Sequence, residues 1–247
     1  MAVIAGNWKM HHGPADAAAF LREFDVTSVP AAHELIVFPP SISLYAVASS
    51  PDRDPRLQVG VQNVHWEDAG AFTGETSAPM AAGAGATFSL IGHSERRHVF
   101  GESDEDTRRK VEASVRAGLV PVLCVGETLD ERQSGAVEQV ILRQLDAVLA
   151  ALRGADRFLV AYEPVWAIGT GETATPADAS SAHGTLRARL EEVLGVAGAA
   201  TVPILYGGSV KPGNASELMS SVNVDGVLVG GASLEAASFA EIGAAAG

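Results

Sequence analysis

Several side chains able to do acid–base chemistry follow short apolar segments of this chain. Glu163 comes directly after the apolar residues 158–162 and directly before Pro164. Because a residue before proline is kept out of helical geometry, we expect Glu163 to be extended at the end of a strand. A carboxylate at such a strand end is a candidate general base if it faces a pocket, and a solvated side chain if it does not.

A histidine occupies a similar place further toward the N-terminus. His93 follows the apolar residues 88–92 and precedes the polar residues 94–97, where we expect a helix to begin. The positive end of a helix dipole disfavours imidazolium, so the ring is predicted to stay neutral. A neutral imidazole can donate to a carbonyl oxygen and move a proton between neighbouring oxygens, although a single histidine at a strand end is more often structural.

Asn7 and Lys9 lie two positions apart in the first apolar segment of the chain and just after it. Residues two apart on a strand point to the same face, so both side chains could face one pocket and supply an amide donor and a cation. The cation matters because the formal net charge is −13. Such a charge argues against nucleic acid and anionic membranes as partners, and an anionic substrate would need a locally positive site.

Glycine pairs follow two later apolar segments. Gly207 and Gly208 precede Ser209, and Gly230 and Gly231 come about twenty residues further on. Glycines after strands let backbone N–H groups approach a ligand closely, and clustered N–H groups bind anions. The pairs therefore indicate either an anion site or ordinary turns.

The elements that must position these residues alternate along the whole chain. Eight short apolar segments, mostly continuous and rich in β-branched residues, predict parallel strands buried on both faces. These segments are residues 3–8, 35–39, 57–62, 88–92, 119–126, 158–162, 202–206 and 226–229. Between them, residues 15–23, 105–117, 137–152 and 177–194 are examples of helical spacing, with start signals at Ser103 and Pro176.

Eight strand–helix units in 247 residues predict an α/β protein of one domain, residues 1–247, folded as a (β/α)₈ barrel. An open doubly wound sheet is the alternative. Active sites of such barrels lie at the carboxyl ends of the strands, and phosphate sites commonly follow strands seven and eight. The polar residues and glycine pairs described above would therefore converge only if the barrel closes.

Composition and spacing exclude several other kinds of protein. The one cysteine, Cys124, lies in an apolar segment and is expected to be a buried thiol that cannot form an intramolecular disulfide. No apolar run approaches the roughly 20 residues that span a bilayer. The N-terminal residues lack the features of a signal peptide, so we expect a cytoplasmic protein. His11 and His12 have no further ligands at metal-site spacing, so no metal or other cofactor is predicted.

The segment 164–174 is long for a connection between a strand and a helix, and it is predicted to be a lid over the barrel mouth. Residues 169–174 also match a relaxed dinucleotide-binding fingerprint. That interpretation fails on context, because the glycines do not follow the strand directly and Glu191 and Glu192, about twenty residues on, lie in a predicted helix.

Residues 6–10, 92–97, 161–171, 206–210 and 228–234 resemble the motifs of the triosephosphate isomerases, in the family's order and along the whole chain. The resemblance implies a TIM barrel and an aldose–ketose isomerase. Such an enzyme interconverts glyceraldehyde 3-phosphate and dihydroxyacetone phosphate through an enediolate, without a cofactor, in glycolysis and gluconeogenesis.

The resemblance also implies roles for individual residues. Glu163 would be the base and His93 the neutral electrophile, a pairing for which this family is the standard example. Asn7 and Lys9 would polarise the substrate and neutralise developing charge, and Glu95 would support Lys9. The backbone N–H groups implied to hold the phosphate belong to Gly169, Ser209, Gly230 and Gly231.

A homodimer is implied as well, in which a loop containing Thr73 reaches the neighbouring subunit near Asn7 and Lys9. Two positions depart from the family pattern. His11 stands where the family often has asparagine, which affects the expected dimer contact, and Glu172 stands where it usually has lysine, at the far end of the lid.

Two other functions are alternatives to the isomerase. A phosphate-binding aldolase would need a Schiff-base lysine within a strand or a metal, and Lys211 lies in a predicted loop. A degenerate barrel that only binds phosphorylated metabolites is the non-enzymatic alternative. Glu163, His93 and Lys9 together favour the enzyme.

Overall fold

A computed structural model describes residues 1–168 and 174–245. Its eight strands pair in parallel, each with the next and the last with the first, so that they close a barrel. The strands are β1 (Val3–Asn7), β2 (Glu34–Phe38), β3 (Leu57–Val61), β4 (Phe88–Ile91), β5 (Val120–Val125), β6 (Leu159–Tyr162), β7 (Ile204–Tyr206) and β8 (Gly226–Val229). The closed barrel is confirmed, and the open sheet is excluded.

Helices follow the strands on the outside of the barrel. Within the described ranges they are α1 (Pro14–Glu23), α2 (Ser41–Ala48), α3 (Ala78–Gly83), α4 (Ser94–His98), α5 (Asp104–Arg116), α6 (Leu129–Gln133), α7 (Val137–Leu152), α8 (Pro176–Ala199), α9 (Pro212–Met219) and α10 (Ala236–Ala244). Short 3₁₀ turns follow β6 at Val165–Ala167 and β8 at Gly231–Leu234.

The start signals in the sequence act as predicted. The Ser103 side chain accepts from the Asp106 N–H, and the Asp106 carboxylate accepts from the Ser103 N–H, which forms a capping box. Thr175 caps α8 in the same way, with Pro176 in the first turn. α8 continues beyond the predicted end at residue 194, with a break at Gly195, whose φ is 74°.

Two separate apolar cores hold the barrel. Twelve buried residues fill its interior, with Phe88, Leu90 and Cys124 among them. A larger cluster packs the outer faces of the strands against the helices. The interior is therefore a packed core rather than a channel, so a ligand in the barrel must bind among the loops at the strand ends.

None of the helices within residues 1–168 and 174–245 combines the length and the apolar character needed to cross a membrane.

Candidate active site

A cavity of about 590 Å³ opens at the carboxyl ends of the strands. It lies where the polar residues after several strands meet, so the convergence expected from a closed barrel is confirmed. The residues predicted from the sequence that line it are Asn7, Lys9, His93, Glu163, Ser209, Gly230 and Gly231.

Glu163 and His93 form a buried pair at this cavity. The His93 Nε2 atom lies 3.0 Å from Glu163 Oε1, and the Ser94 backbone N–H donates to Glu163 Oε2 at 2.8 Å. His93 caps α4, because its Nδ1 atom accepts from the Glu95 N–H at 3.2 Å. A ring that accepts at Nδ1 and donates at Nε2 is neutral, and it presents its proton toward the carboxylate.

Each member of the pair changes the pKa of the other. Burial alone would raise the pKa of Glu163, but the charge and hydrogen bond of His93 and the Ser94 N–H lower it below its ordinary value. Burial lowers the pKa of His93, but the charge and hydrogen bond of Glu163 outweigh it and leave a net upward shift. The carboxylate therefore opposes the effect that the helix start was expected to have. The neutral ring follows from the Glu95 N–H at Nδ1 rather than from a depressed pKa.

Lys9 faces the cavity for a different reason from the one predicted. β1 ends at Asn7, and Lys9 has a φ of 50°, so the alternation of side chains along a strand does not apply to this pair. The Asn7 Oδ1 atom accepts from the Lys9 N–H at 3.0 Å, and the Gln62 amide donates to the Lys9 carbonyl at 2.8 Å. These two bonds hold a backbone conformation that a non-glycine residue rarely adopts. Lys9 Nζ reaches Glu95 Oε1 at 2.7 Å.

The two glycine pairs have different structural roles. A Cβ on Gly207 would lie 2.9 Å from Glu163 Cγ, and one on Gly208 would lie 2.1 Å from Tyr206 Oη, so these glycines make room for neighbouring side chains. A Cβ on Gly230 would come no closer than 3.7 Å to Lys9, and one on Gly231 would meet nothing within 4 Å. Gly230 and Gly231 therefore leave open space beside the cation, as an anion site requires.

Sequence reasoning missed the residues that fix the backbone of Glu163. Gly126 follows β5 and packs so closely that a Cβ there would lie 1.7 Å from the Glu163 carbonyl oxygen. The buried Gln144 side chain holds this peptide by accepting from the Gly126 N–H at 2.7 Å and donating to the Gly126 carbonyl at 3.2 Å. The only signal in the sequence was a glycine as the last residue of a predicted strand, 119–126.

A second group of interacting side chains surrounds the start of the segment 164–174. The buried Glu127 carboxylate accepts from the Tyr162 hydroxyl at 3.1 Å and from Trp166 Nε1 at 2.8 Å. Arg132 stacks over the Trp166 ring, with 4.5 Å from Cζ to the ring centre, and pairs with both Glu127 and Asp178. Asp178 belongs to the capping box of α8, so Arg132 connects the residues on both sides of the lid segment.

Some predicted residues lie elsewhere. Gly169 and Glu172 are outside the described residues, as is most of the segment that matches a dinucleotide fingerprint. Thr73 lines a separate cavity of about 340 Å³ and does not face Lys9 of its own chain. Cys124 is a buried thiol as predicted, and burial raises its pKa well above the ordinary value. The described residues contain no group of three or more His, Cys, Asp or Glu side chains suited to a metal ion.

Proton transfer to and from a small anion is the chemistry that this barrel site can perform, and the comparisons with known proteins are specific. The sequence model of the family described as triosephosphate isomerase matches residues 2–246. The chain belongs to the triosephosphate isomerase family, and it is an isomerase.

Relatives that carry the name triosephosphate isomerase cover nearly the whole chain. The protein of Synechococcus sp. (strain JA-2-3B'a(2-13)) is 47% identical, over 97% of this chain and 95% of the relative. The proteins of Solibacter usitatus and Chloroflexus aurantiacus are 46% and 47% identical, over 97% of both chains in each comparison.

Proposed function

We propose that this chain interconverts glyceraldehyde 3-phosphate and dihydroxyacetone phosphate with Glu163 as base and His93 as acid. The observation that carries these roles is the buried pair at 3.0 Å, beside a cation and an open pair of glycines in one cavity. A carboxylate base supplies about 10²–10⁴-fold acceleration, and a donor at a developing oxyanion about 10²–10³-fold. Binding of the phosphate would supply further transition-state stabilisation.

The mechanism assigns one task to each side chain. Glu163 leaves the Ser94 N–H and takes a proton from the substrate carbon, and the His93 Nε2–H donates to the carbonyl oxygen as the enediolate forms. Glu163 then returns the proton to the adjacent carbon, and His93 Nε2 takes back a proton from the neighbouring hydroxyl oxygen, so that one oxygen gains the proton that the other loses. Asn7 and Lys9 stabilise the negative charge on oxygen, and Glu95 holds the Lys9 ammonium through the 2.7 Å contact. Ser209, Gly230 and Gly231 would bind the phosphate through backbone N–H groups, together with Gly169.

The test is a coupled assay of the parent and of Glu163→Gln, run in deuterated water with product analysis. The parent should form product that carries solvent deuterium at the carbon, and the variant should lose most of its kcat while it keeps its circular dichroism spectrum. His93, which remains in the Glu163→Gln variant, cannot remove the carbon-bound proton. Near-parental kcat in the variant would overturn the role of Glu163.

The proposal includes a homodimer, formed by one domain per chain. The loop that follows β3 is held by the tilted packing of His65 against Phe72, with 4.1 Å between ring centres, and by Arg109 over the Trp66 ring. Thr73 lies exposed at this ordered loop, and the Met10 side chain beside the active site is 94% exposed. An ordered, projecting loop and an uncovered methionine support contact with a second copy.

We also propose a cytoplasmic location and a role in glycolysis and gluconeogenesis. The family and the proposed substrates support this assignment, and the one cysteine is buried and therefore suited to a reducing compartment.

A further inference from the structure

The proposed substrate and the protein both carry negative charge. The formal net charge of the chain is −13, and a phosphate monoester adds about −1.5 to −2 at neutral pH. Lys9 is the cation that the sequence predicts would compensate this charge. Its ammonium, however, lies 2.7 Å from the Glu95 carboxylate, so the two charges largely cancel at a distance.

The catalytic base makes this deficit larger. Glu163 has a lowered pKa and is ionised at neutral pH, so the site contains two carboxylates, from Glu95 and Glu163, against the single ammonium of Lys9. With a neutral His93, these residues carry one net negative charge. An incoming phosphate would therefore be repelled at the cavity mouth unless another cation is present.

Lys211 is the other basic side chain among the described residues that line this cavity. It is exposed, and no salt bridge joins it to a carboxylate in the described part of the chain. The chain contains three lysines, and the other two are paired: Lys9 with Glu95, and Lys110 with Glu102. Within the described residues, Lys211 is thus the lysine whose charge is not paired with a carboxylate.

The backbone of Lys211 is fixed close to the proposed phosphate site. Its N–H donates to Asn214 Oδ1 at 2.8 Å, and Asn214 Nδ2 donates to the Ser209 carbonyl at 3.0 Å. α9 begins at Pro212, directly after Lys211. One asparagine therefore ties Lys211 to Ser209, and the flexible lysine side chain extends from a fixed point at that end of the cavity.

We propose that Lys211 recruits the phosphate group of the substrate, and of phosphorylated competitors, to the mouth of the cavity. It offsets the net charge left by Glu95, Glu163 and Lys9, and it takes no part in proton transfer. This role rests on the proposed function for its substrate. The binding of anions can nevertheless be measured without any turnover.

The experiment compares Lys211→Met with the charge-conserving Lys211→Arg and with Arg22→Met. Arg22 lies exposed near the end of α1, away from the cavity, and its loss changes the net charge by the same amount. For each protein we would measure kcat, kcat/KM and the dissociation constant of inorganic phosphate, at about 10 mM and about 300 mM ionic strength, where the screening length differs several-fold.

In Lys211→Met, kcat/KM and phosphate affinity should fall about three- to tenfold at low ionic strength, and kcat should stay within about twofold of the parent. The difference should shrink at high ionic strength. Lys211→Arg and Arg22→Met should both resemble the parent.

Equal losses in Arg22→Met would show that net charge alone is responsible and would overturn the proposal. So would parental kcat/KM and phosphate affinity in Lys211→Met, or a fall in kcat that matches the fall in kcat/KM. If the parent binds phosphate but does not isomerise triose phosphates, the proposed function fails, and the phosphate measurements still decide the role of Lys211.

Discussion

The ionisation of the catalytic pair depends on contacts between individual residues. The Glu163 carboxylate both faces the imidazole of His93 and raises its pKa, so the pKa of the ring should fall when the carboxylate moves to a substrate. The backbone N–H of Glu95 stays at Nδ1 throughout, because it belongs to the first turn of α4. The neutral ring predicted from the sequence is therefore best tested with the carboxylate removed.

In Glu163→Gln, the pKa of His93 should fall below its ordinary value. A negative charge beside the ring favours imidazolium, so its removal leaves burial, which is the largest influence, and the Lys9 charge to lower the pKa against the smaller upward effect of Glu95. Titration of the ring nitrogens by NMR, in parent and variant, measures the change. His183, whose pKa burial lowers to about 4, should titrate equally in both proteins and serves as the internal control. Identical His93 titrations would contradict this account.

Residue types predicted which residues belong to the site better than they predicted the contacts and backbone conformations that place those residues there. Glu163, His93 and Lys9 were found because charged or ionisable residues follow apolar segments. The contact between Lys9 and Glu95 came from the resemblance, and the left-handed backbone of Lys9 was not predicted. Gly126 and Gln144 were not found, since a glycine after a strand and a glutamine inside a helix are ordinary features until the fold brings them together.

At the scale of elements, the position of Glu163, the proposed base, depends on α7. Gln144 lies on the buried face of this helix and binds both polar groups of the Gly126 peptide, against which the Glu163 carbonyl packs. The boundaries of α7 match the sequence prediction, because its apolar periodicity is strong over sixteen residues. A helix start after His93 was predicted, and α4 begins there, but its end at His98 was not predicted. The five-residue helix α6 was not predicted, because such short segments carry little intrinsic signal.

Gln144→Leu should lower kcat about tenfold or more while KM stays nearly constant. The substitution leaves the Gly126 peptide without its two side-chain partners, which costs about 1–3 kcal/mol per buried group, and it lets the backbone of Glu163 shift. Steady-state kinetics and a urea unfolding curve should be measured together. Gln139→Leu, at an exposed position of the same helix, is the matched control. A stability loss with unchanged kcat in Gln144→Leu would show that the hydrogen bonds between Gln144 and Gly126 stabilise the fold but do not position Glu163 for catalysis.

At the scale of the whole molecule, the closed barrel is a feature that no single element shows, and the dimer is a proposal. Closure was predicted because eight strand–helix units fill the chain, and the resemblance supported it. The dimer could be predicted only from the resemblance, since exposed apolar residues such as Met10 acquire meaning once their positions in space are known.

Thr73→Arg should convert the protein to monomers with strongly reduced activity. A long charged side chain at the end of the ordered loop would clash with a partner subunit and would bury an unpaired charge. Sedimentation velocity and kcat, measured at the same protein concentrations, give the two readouts. Thr201→Arg, at the amino end of the barrel, makes the same chemical change outside the expected contact and should have little effect. A fully active monomer would show that the active site is complete within one chain.

The amino end of the barrel is closed by an ion pair between opposite strands. Arg157 precedes β6, and its guanidinium contacts both carboxylate oxygens of Glu34 at the start of β2, four strands away around the barrel. The Gln58 amide donates to the same carboxylate at 2.7 Å. Partial burial pushes the pKa of Glu34 upward, but Arg157 and Gln58 outweigh it and leave the pKa below its ordinary value.

Glu34→Gln should therefore destabilise the protein near neutral pH and less so in acid. A carboxyl group with a lowered pKa in the folded state stabilises it at pH values above the ordinary carboxyl range, and this contribution is lost as the pH falls through the folded value. Because Arg157 is partly exposed, we expect the free energy of unfolding to fall by about 1 kcal/mol at pH 7.

Urea unfolding at a fixed protein concentration, at about pH 7 and about pH 4, measures the difference in the free energy of unfolding between parent and variant. Glu112→Gln, which breaks a more exposed pair with Arg108, should change stability little at either pH. A loss in Glu34→Gln that is equal at both pH values would mean that packing at the amino end, and not the charge of Glu34, holds β2 and β6 together.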